Sequence, residues 1–255
     1  ASVYADSPDL KEAVGVVGGR LTLLSTGRSE RSRGATPAHL ALSGNERLAV
    51  AAETPGVVLR DLRTGQARGF GTGLPVRNGL TISPDGRYVV AATGKYTEAG
   101  HETAIEIHDI QGNQRHVLKS AGVVLGMWQL SVSANNRLAL GTQRNGKGGA
   151  LVLDLATNAR LFEQGGFESY WLRGLALAAD GTVLVTGDEK GRLRVWSVDE
   201  KRRLFDLHVK LPIQTVAIDH ARRRVAWSLW DGTIHVATMA SDYSSMSAGV
   251  VAGAN

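Results

Sequence analysis

The sequence predicts an all-β chain, a β-propeller of four-stranded antiparallel blades, six by spacing. Three observations predict it. The line Leu80-Thr81-Ile82-Ser83-Pro84-Asp85-Gly86-Arg87-Tyr88-Val89-Val90-Ala91-Ala92 alternates apolar residues, turns, and runs apolar again. The pattern returns from Leu40, Leu130, Leu175 and Val216, at spacings of 40, 50, 45 and 41 residues, close to the roughly 40–45 residues of a propeller blade. Third, short strand-like runs bounded by Asp, Asn and Gly follow one another throughout, and no helical period competes with them.

Within each unit the first run ends in a turn residue that tolerates tight or left-handed backbone. A second run follows: Tyr88 to Ala92, Leu138 to Leu140, Val183 to Val185. The third runs also align, as Val58-Leu59-Arg60-Asp61, Glu106-Ile107-His108-Asp109, Val152-Leu153-Asp154 and Arg194-Val195-Trp196-Ser197. Four residues past the Asp61, Asp109 and Asp154 column stand Gly65, Asn113 and Asn158, as a hairpin into a fourth strand requires. A weaker sixth copy begins near Tyr4, with Ser7-Pro8-Asp9 at its turn and Ala13 to Val17 as its next strand.

The 255 residues, 43% of them apolar, suffice for one large interior. One propeller domain is expected over 1–240, with 241–255 either a tail or a blade-closing strand. The loop-like stretches Gly94 to Thr103 and Gly141 to Gly149 fall inside units, between second and third strands. With no cysteine, disulfides, thiolate nucleophiles and cysteine-based zinc sites are excluded. The longest apolar run, around Val123 to Trp128, is too short to cross a bilayer as a helix, so a soluble chain is expected, cytoplasmic by default. The chain opens with Ala1 and not Met, which leaves room for an upstream segment.

The net charge of +5 comes from 29 basic and 24 acidic residues. Arg47, Arg87, Arg137 and Arg223 stand at turns, where they read as a solvated face that keeps strand edges from pairing. Local clusters occur at Arg28 to Arg33, Lys201-Arg202-Arg203 and Arg222-Arg223-Arg224, but they form no single stripe of the kind nucleic-acid binders carry.

Ser83-Pro84-Asp85-Gly86-Arg87, Val195-Trp196-Ser197 and Asp231-Gly232-Thr233-Ile234 resemble, respectively, the first-to-second-strand turn, the Trp-Asp ending of the third strand and the turn that opens that strand in WD40 repeats. The resemblance covers nearly the whole chain. It is degenerate: one unit has Trp in the third-strand column, and the usual Gly-His pair is absent, His39 following Ala38. The buried His, Asp, Ser/Thr and Trp network of a regular blade is complete in no unit, since Trp196 has Thr186 but Lys190 where the turn Asp is expected. The resemblance implies scaffolding, assembly or ligand sensing, as one module of a larger polypeptide or complex.

Catalytic motifs fall short. Gly141-Thr142-Gln143-Arg144-Asn145-Gly146-Lys147-Gly148 has phosphate-loop spacing, but Gly148 stands where Ser or Thr must hold magnesium and no helix follows. His101-Glu102 lacks the second histidine of a zinc helix and is expected in a loop. His108 and Asp109 are adjacent on a strand and point to opposite faces. The innermost strands read Leu-Ala-Leu, Leu-Thr-Ile, Leu-Ser-Val, Leu-Ala-Leu and Val-Ala-Ile, which is packing and not a reaction centre. No cofactor, metal or catalytic residue is expected.

The surface is more distinctive. Inter-unit loops are expected to supply Arg77, Trp128, Tyr170, Trp171 and Arg173 to one face, and second-to-third-strand loops to add Lys95, Tyr96, Arg144, Lys147 and Trp230. Trp, Tyr and Arg dominate interface hot spots. The expectation is a non-catalytic scaffold binding a protein partner, with an acidic segment, through this basic and aromatic face. A nucleic-acid-associated subunit and a propeller enzyme with a channel-mouth site stay open as alternatives, the first requiring a continuous basic stripe, the second a convergent carboxylate or histidine cluster.

Overall fold

The computed structural model of the chain describes residues 4–6, 13–17, 20–23, 29–31, 39–44, 48–53, 56–97, 100–119 and 124–251, with side chains at 39–44, 52, 56–76, 79–95, 102–119 and 129–247. The chain divides into two compact units, 1–120 and 121–255. In the first unit, β1 (Tyr4–Asp6), β2 (Ala13–Val17), β3 (Arg20–Leu23) and β4 (Ser29–Arg31) form one antiparallel sheet. β5 (Leu40–Leu42), β6 (Leu48–Glu53), β7 (Gly56–Asp61) and β8 (Ala67–Gly71) form a second. β9 (Val76–Ile82), β10 (Tyr88–Thr97), β11 (Gly100–Asp109) and β12 (Gln114–Lys119) form a third.

The second unit repeats the scheme. Its sheets are β13 (Val124–Val132), β14 (Arg137–Arg144), β15 (Lys147–Asp154) and β16 (Arg160–Gln164); β17 (Leu172–Leu177), β18 (Val183–Asp188), β19 (Arg192–Ser197) and β20 (Arg202–His208); and β21 (Ile213–Asp219), β22 (Arg224–Leu229), β23 (Ile234–Met239) and β24 (Met246–Val251). Every sheet is a simple meander in which strands adjacent in sequence pair.

The aligned turn columns have a backbone cause. Gly86, Asn136, Gly181 and Arg223 hold the left-handed position between first and second strands, at φ 75°, 62°, 73° and 52°. Gly65, Asn113, Asn158 and Lys201 hold it between third and fourth strands, at 75°, 51°, 59° and 53°. Glycine takes this conformation without strain and Asn at small cost. The preceding Asp column closes the same turns: Asp61 Oδ1 accepts the amides of Arg63 and Thr64, Asp109 Oδ1 those of Gln111 and Gly112, and Asp154 Oδ1 those of Ala156 and Thr157. These are Asx turns, the local bond for which Asp competes so well. Two of the four turn arginines are not simply solvated, since Arg87 pairs with Asp109 at 2.8 Å and Arg137 with Asp199 at 2.8 Å, while Arg47 lies outside the described residues.

Two expected loops are strands. β10 and β11 pair out to Thr97↔Gly100, and β14 and β15 out to Arg144↔Lys147. His101-Glu102 therefore lies in β11 and not in a loop. The second hairpin is closed by Asn145 and Gly146 at φ 50° and 76°, the type I′ geometry whose twist matches antiparallel strands. Glycines and polar residues at 141–149 suggest a loop, but β14 buries consecutive positions from Leu138 to Gly141 against the core. At the other end, residues 246–251 pair with β23 from Met239↔Met246 to Ile234↔Val251, as the fourth strand of the last sheet.

Packing in the second unit centres on two clusters. One joins Val185, Leu193, Val195, Ile213, Trp227 and Met239; the other joins Phe162, Phe167, Leu175, Leu184 and Trp196. Sheets approach closely at Gly187, where a Cβ would stand 2.5 Å from Ile213 Cγ2. Trp196 donates its indole N–H to Thr186 Oγ1 at 3.0 Å and stacks on Phe167, with ring planes 10° apart. A turn carboxylate is present after all, two residues before the Lys190 position at which the sequence lacks one. Asp188 Oδ1 accepts the amides of Lys190 and Arg192, and its Oδ2 accepts Arg194 Nη1 at 2.9 Å.

A polar clasp ties three turns of the second unit. His220 Nε2 lies 3.1 Å from Asp180 Oδ2, and Tyr243 Oη lies 2.9 Å from His220 Nδ1. Burial raises the Tyr243 phenol above its ordinary value, which keeps its O–H available. Tyr243→Phe should lower stability by about 1 kcal/mol, the net worth of one such hydrogen bond. A urea midpoint unchanged from wild type would show that the phenol contributes only its ring.

Candidate partner-binding face

The loop from β16 to β17 is anchored before it displays anything. Phe167 N–H donates to Gly148 O at 3.0 Å and Gly148 N–H to Ser169 O at 2.7 Å, so β15 holds both ends of a short arc. Buried Ser169 then bonds Trp171 twice, its Oγ donating to Trp171 O at 2.9 Å and accepting Trp171 N–H at 3.3 Å. Tyr170 is thereby turned outward, 43% exposed, against the edge of the half-buried Trp171 ring at a centroid distance of 4.3 Å.

Arg173 follows on β17, half-buried, with its guanidinium 5.2 Å from the centroid of Trp230. Trp230 tips the turn from β22 to β23 and is 60% exposed, the most exposed large apolar side chain among the described residues. That turn is rigid: Trp230 N–H donates to Pro212 O at 3.0 Å, and Asp231 Oδ1 accepts both the amide and the hydroxyl of Thr233. Those two bonds hold the Asp231 carboxyl below the usual carboxylate range. Arg173 and Trp230 together with Glu189, Lys190, Leu211, Pro212 and Asp231 line an open cleft of about 550 Å³.

The electrostatics of the cleft are uneven. Arg173 Nε is shut off from solvent and, among the described residues, has no hydrogen-bond partner. A cation stacked on indole is partly stabilised by the ring quadrupole, but its N–H groups stay unused. Lys190 is exposed, and its carbonyl is already engaged by His208 Nε2 at 3.0 Å. Leu211, 37% exposed, and Pro212 give the floor an apolar side.

Of the ten expected contact residues, four form two contacting pairs, Tyr170 with Trp171 and Arg173 with Trp230, and only the second pair lines the cleft. Arg144 and Lys147 flank the hairpin tip next to the first pair, both exposed, where a Cβ on Gly146 would meet Tyr170 Cδ2 at 3.8 Å. Lys95 lies in the first unit, in β10, and pairs with Glu102 at 3.2 Å. Arg77, Tyr96 and Trp128 occupy β9, β10 and β13 and not loops, and their side chains lie outside the described residues. Arg173 is likewise in a strand. Half of the residues in the clusters Lys201 to Arg203 and Arg222 to Arg224 are paired with nearby carboxylates, Arg202 with Glu200, Arg203 with Asp206 and Arg222 with Asp219. The cluster at Arg28 to Arg33 lies outside the described side chains.

Sequence reasoning misses Lys190, Leu211 and Pro212. A signal for two of them exists: Leu211-Pro212 immediately precedes an innermost strand, the same inter-unit position as Tyr170 and Trp171. It also misses a buried carboxylate in the first unit. Glu106, 1% exposed, takes Arg115 Nε and Nη2 on Oε2, and the Gly73 amide and Thr93 hydroxyl on Oε1. Beside it burial lowers the His108 imidazole from its ordinary value. Both carboxylate oxygens of Glu106 are engaged, one of them pinning the β8–β9 connection at Gly73, while the buried His108 Nε2 has no hydrogen-bond partner among the described residues. Among the described residues no group of three or more His, Asp or Glu is placed to hold a metal ion.

No family model matches the sequence, and no curated protein matches it. Solved structures do. The chain is similar to the crystal structure of RRP9 WD40 repeats, with a TM-score of 0.72 at 10% identity over 96% of this chain and 78% of that one. It is similar to the structure of U3-55K, with a TM-score of 0.71 at 11% identity over 96% of this chain and 79% of that one. Likeness at that identity is likeness of fold, and with the turn columns and meander sheets above it gives the conclusion that the chain has the WD40-type β-propeller fold, its four-stranded sheets being the blades.

Proposed function

We propose that the chain is a non-catalytic interaction module whose second unit binds a protein partner at the Tyr170–Trp171 and Arg173–Trp230 face. The observation that carries this reading is Arg173, half-buried with its guanidinium 5.2 Å over the centroid of the exposed Trp230 indole, beside Lys190 and an apolar floor. Such a surface suits a short acidic segment that also carries an apolar residue. A carboxylate supplies acceptors for Arg173 and Lys190, and the apolar side chain covers Leu211, Pro212 and Trp230. Rigid loops incur little ordering cost on association, so the available contacts translate into affinity. The WD40 likeness agrees with a role in assembly or sensing, as a subunit of a complex or a module of a longer polypeptide.

The test is fluorescence anisotropy with a panel of peptides that vary acidic and apolar content, with a single-stranded oligonucleotide alongside. Acidic–apolar peptides should bind, and Arg173→Ala with Trp230→Ala should weaken them by about 2 kcal/mol or more, roughly thirtyfold in Kd. Melting should change little, because Trp230 is exposed. Binding of the oligonucleotide alone, with a steep fall as salt rises, would replace this reading with the nucleic-acid one. Peptide binding indifferent to both substitutions would move the site elsewhere.

A further inference from the structure

We infer that Asn145 is a site of spontaneous deamidation, a modification built into the tip of the β14–β15 hairpin that needs only water. Asn145 and Gly146 are the two exposed residues of that turn. Among the described residues, neither the Gly146 N–H nor the Asn145 carboxamide has a hydrogen-bond partner. The nucleophile and the electrophile are therefore one residue apart and both free. Gly146 has no Cβ to obstruct the approach, and nothing but the edge of Tyr170 lies near the space one would fill.

The chemistry balances without a cofactor. Gly146 N gives its proton to solvent and bonds to Asn145 Cγ; the Cγ–Nδ2 bond breaks and ammonia leaves, which closes a succinimide. Water adds to one of the two ring carbonyls, and the ring opens to aspartate or isoaspartate. Asparagine is among the thermolabile residues for this kind of reason.

Other asparagines of the chain show why this one is singled out. Asn158 has the same left-handed backbone, φ 59°, but its neighbour is Ala159, whose amide donates to Thr157 Oγ1 at 3.3 Å. Asn135 uses its carboxamide on Asp180 O at 2.7 Å, and Asn113 accepts from Arg68 Nη2. Asn78 also precedes a glycine, but both sit inside β9, at the register shift between Val76↔Thr93 and Gly79↔Ala92, where Gly79 is held by its pairing. A glycine held in a strand pair lacks the freedom that the exposed turn gives Gly146 to bring its amide nitrogen onto the preceding residue.

The product alters the tip in two ways. One negative charge appears between Arg144 and Lys147, and the isoaspartate form adds a methylene to a two-residue turn that has no room for it without loss of the Arg144↔Lys147 pairing. Purified full-length chain should be aged at mildly alkaline pH and mapped by chymotryptic peptides and mass spectrometry. The peptide containing Asn145 should split into two isobaric products, each carrying the mass change of an amide-to-acid exchange, at least an order of magnitude faster than the Asn158 and Asn78 peptides. Gly146→Ala and, separately, Asn145→Gln should each abolish the fast conversion. Conversion of Asn145 at the pace of Asn158 would overturn the inference, and because the readout is mass, it does so whatever the peptide-binding result.

Discussion

Replacing Trp196 by alanine should lower the unfolding free energy by about 3–5 kcal/mol, the usual loss when a buried tryptophan is truncated. The side chain is 5% exposed and lies between Phe162 and Phe167, with centroids 5.8 and 5.6 Å away. Its removal leaves a void bounded by strands β15, β16, β18 and β19, which are held by their pairing and cannot collapse into it. It also leaves the Thr186 hydroxyl, wholly buried, without its donor. The second component can be separated. Trp196→Phe keeps much of the ring and loses the N–H, so it should cost more alone than on a Thr186→Val background, where no buried hydroxyl is left wanting a partner. Urea midpoints at constant m-value give both quantities. A loss below about 1 kcal/mol for Trp196→Ala would place the indole outside the core.

Trp196 also shows how far the sequence alone is legible. Its alignment with Thr186 on the preceding strand can be read from the sequence because strand periodicity fixes which residues share a face, and the hydrogen bond follows from that register. The turn columns are legible for a similar reason: Gly65, Asn113 and Asn158 are where they are because only a few residue types tolerate left-handed backbone. Lys201 and Arg223 carry the same conformation without belonging to those types, and there only the residue count along the repeat marks the column.

Hairpin length is not legible. Gly141 to Gly149 contains four glycines and reads as a loop by composition, yet it pairs to its tip, because pairing depends on the partner strand and on burial that composition does not encode. The face is half legible. Aromatic residues in inter-unit loops announce Tyr170 and Trp171, but the stacking of Arg173 on Trp230 joins residues 57 positions apart through adjacent sheets. Periodicity within one unit says nothing of which loop tips meet. Asp188 escapes a count made from the third strand, because the carboxylate sits at the end of β18 and reaches forward over the turn.

That carboxylate is the subject of the second large effect. Asp188→Ala should cost about 3–5 kcal/mol, because it strands a buried cation. Arg194 has a side chain only 8% exposed and is held by Asp188 at 2.9 Å, with Asp206 farther off at 3.7 Å. Asp206 is itself occupied by Arg203 at 2.6 Å and Arg192 at 3.4 Å. The ring of Phe167, 4.9 Å from the guanidinium, offers a cation–π contact but no acceptor for the freed N–H. The same substitution releases the amides of Lys190 and Arg192, so the β18–β19 turn loses its closure along with the charge. Arg194→Met should cost less, since Asp188 would still accept two backbone amides and the thioether fills much of the space beside Phe167. Asp188→Asn separates the two roles of the carboxylate, because an amide oxygen can still close the turn but carries no charge. A loss for Asp188→Asn near that of Asp188→Ala assigns the energy to the ion pair. A loss closer to wild type assigns it to the turn, and the buried pair then serves to fix the register of β18 on β19 more than to stabilise the fold.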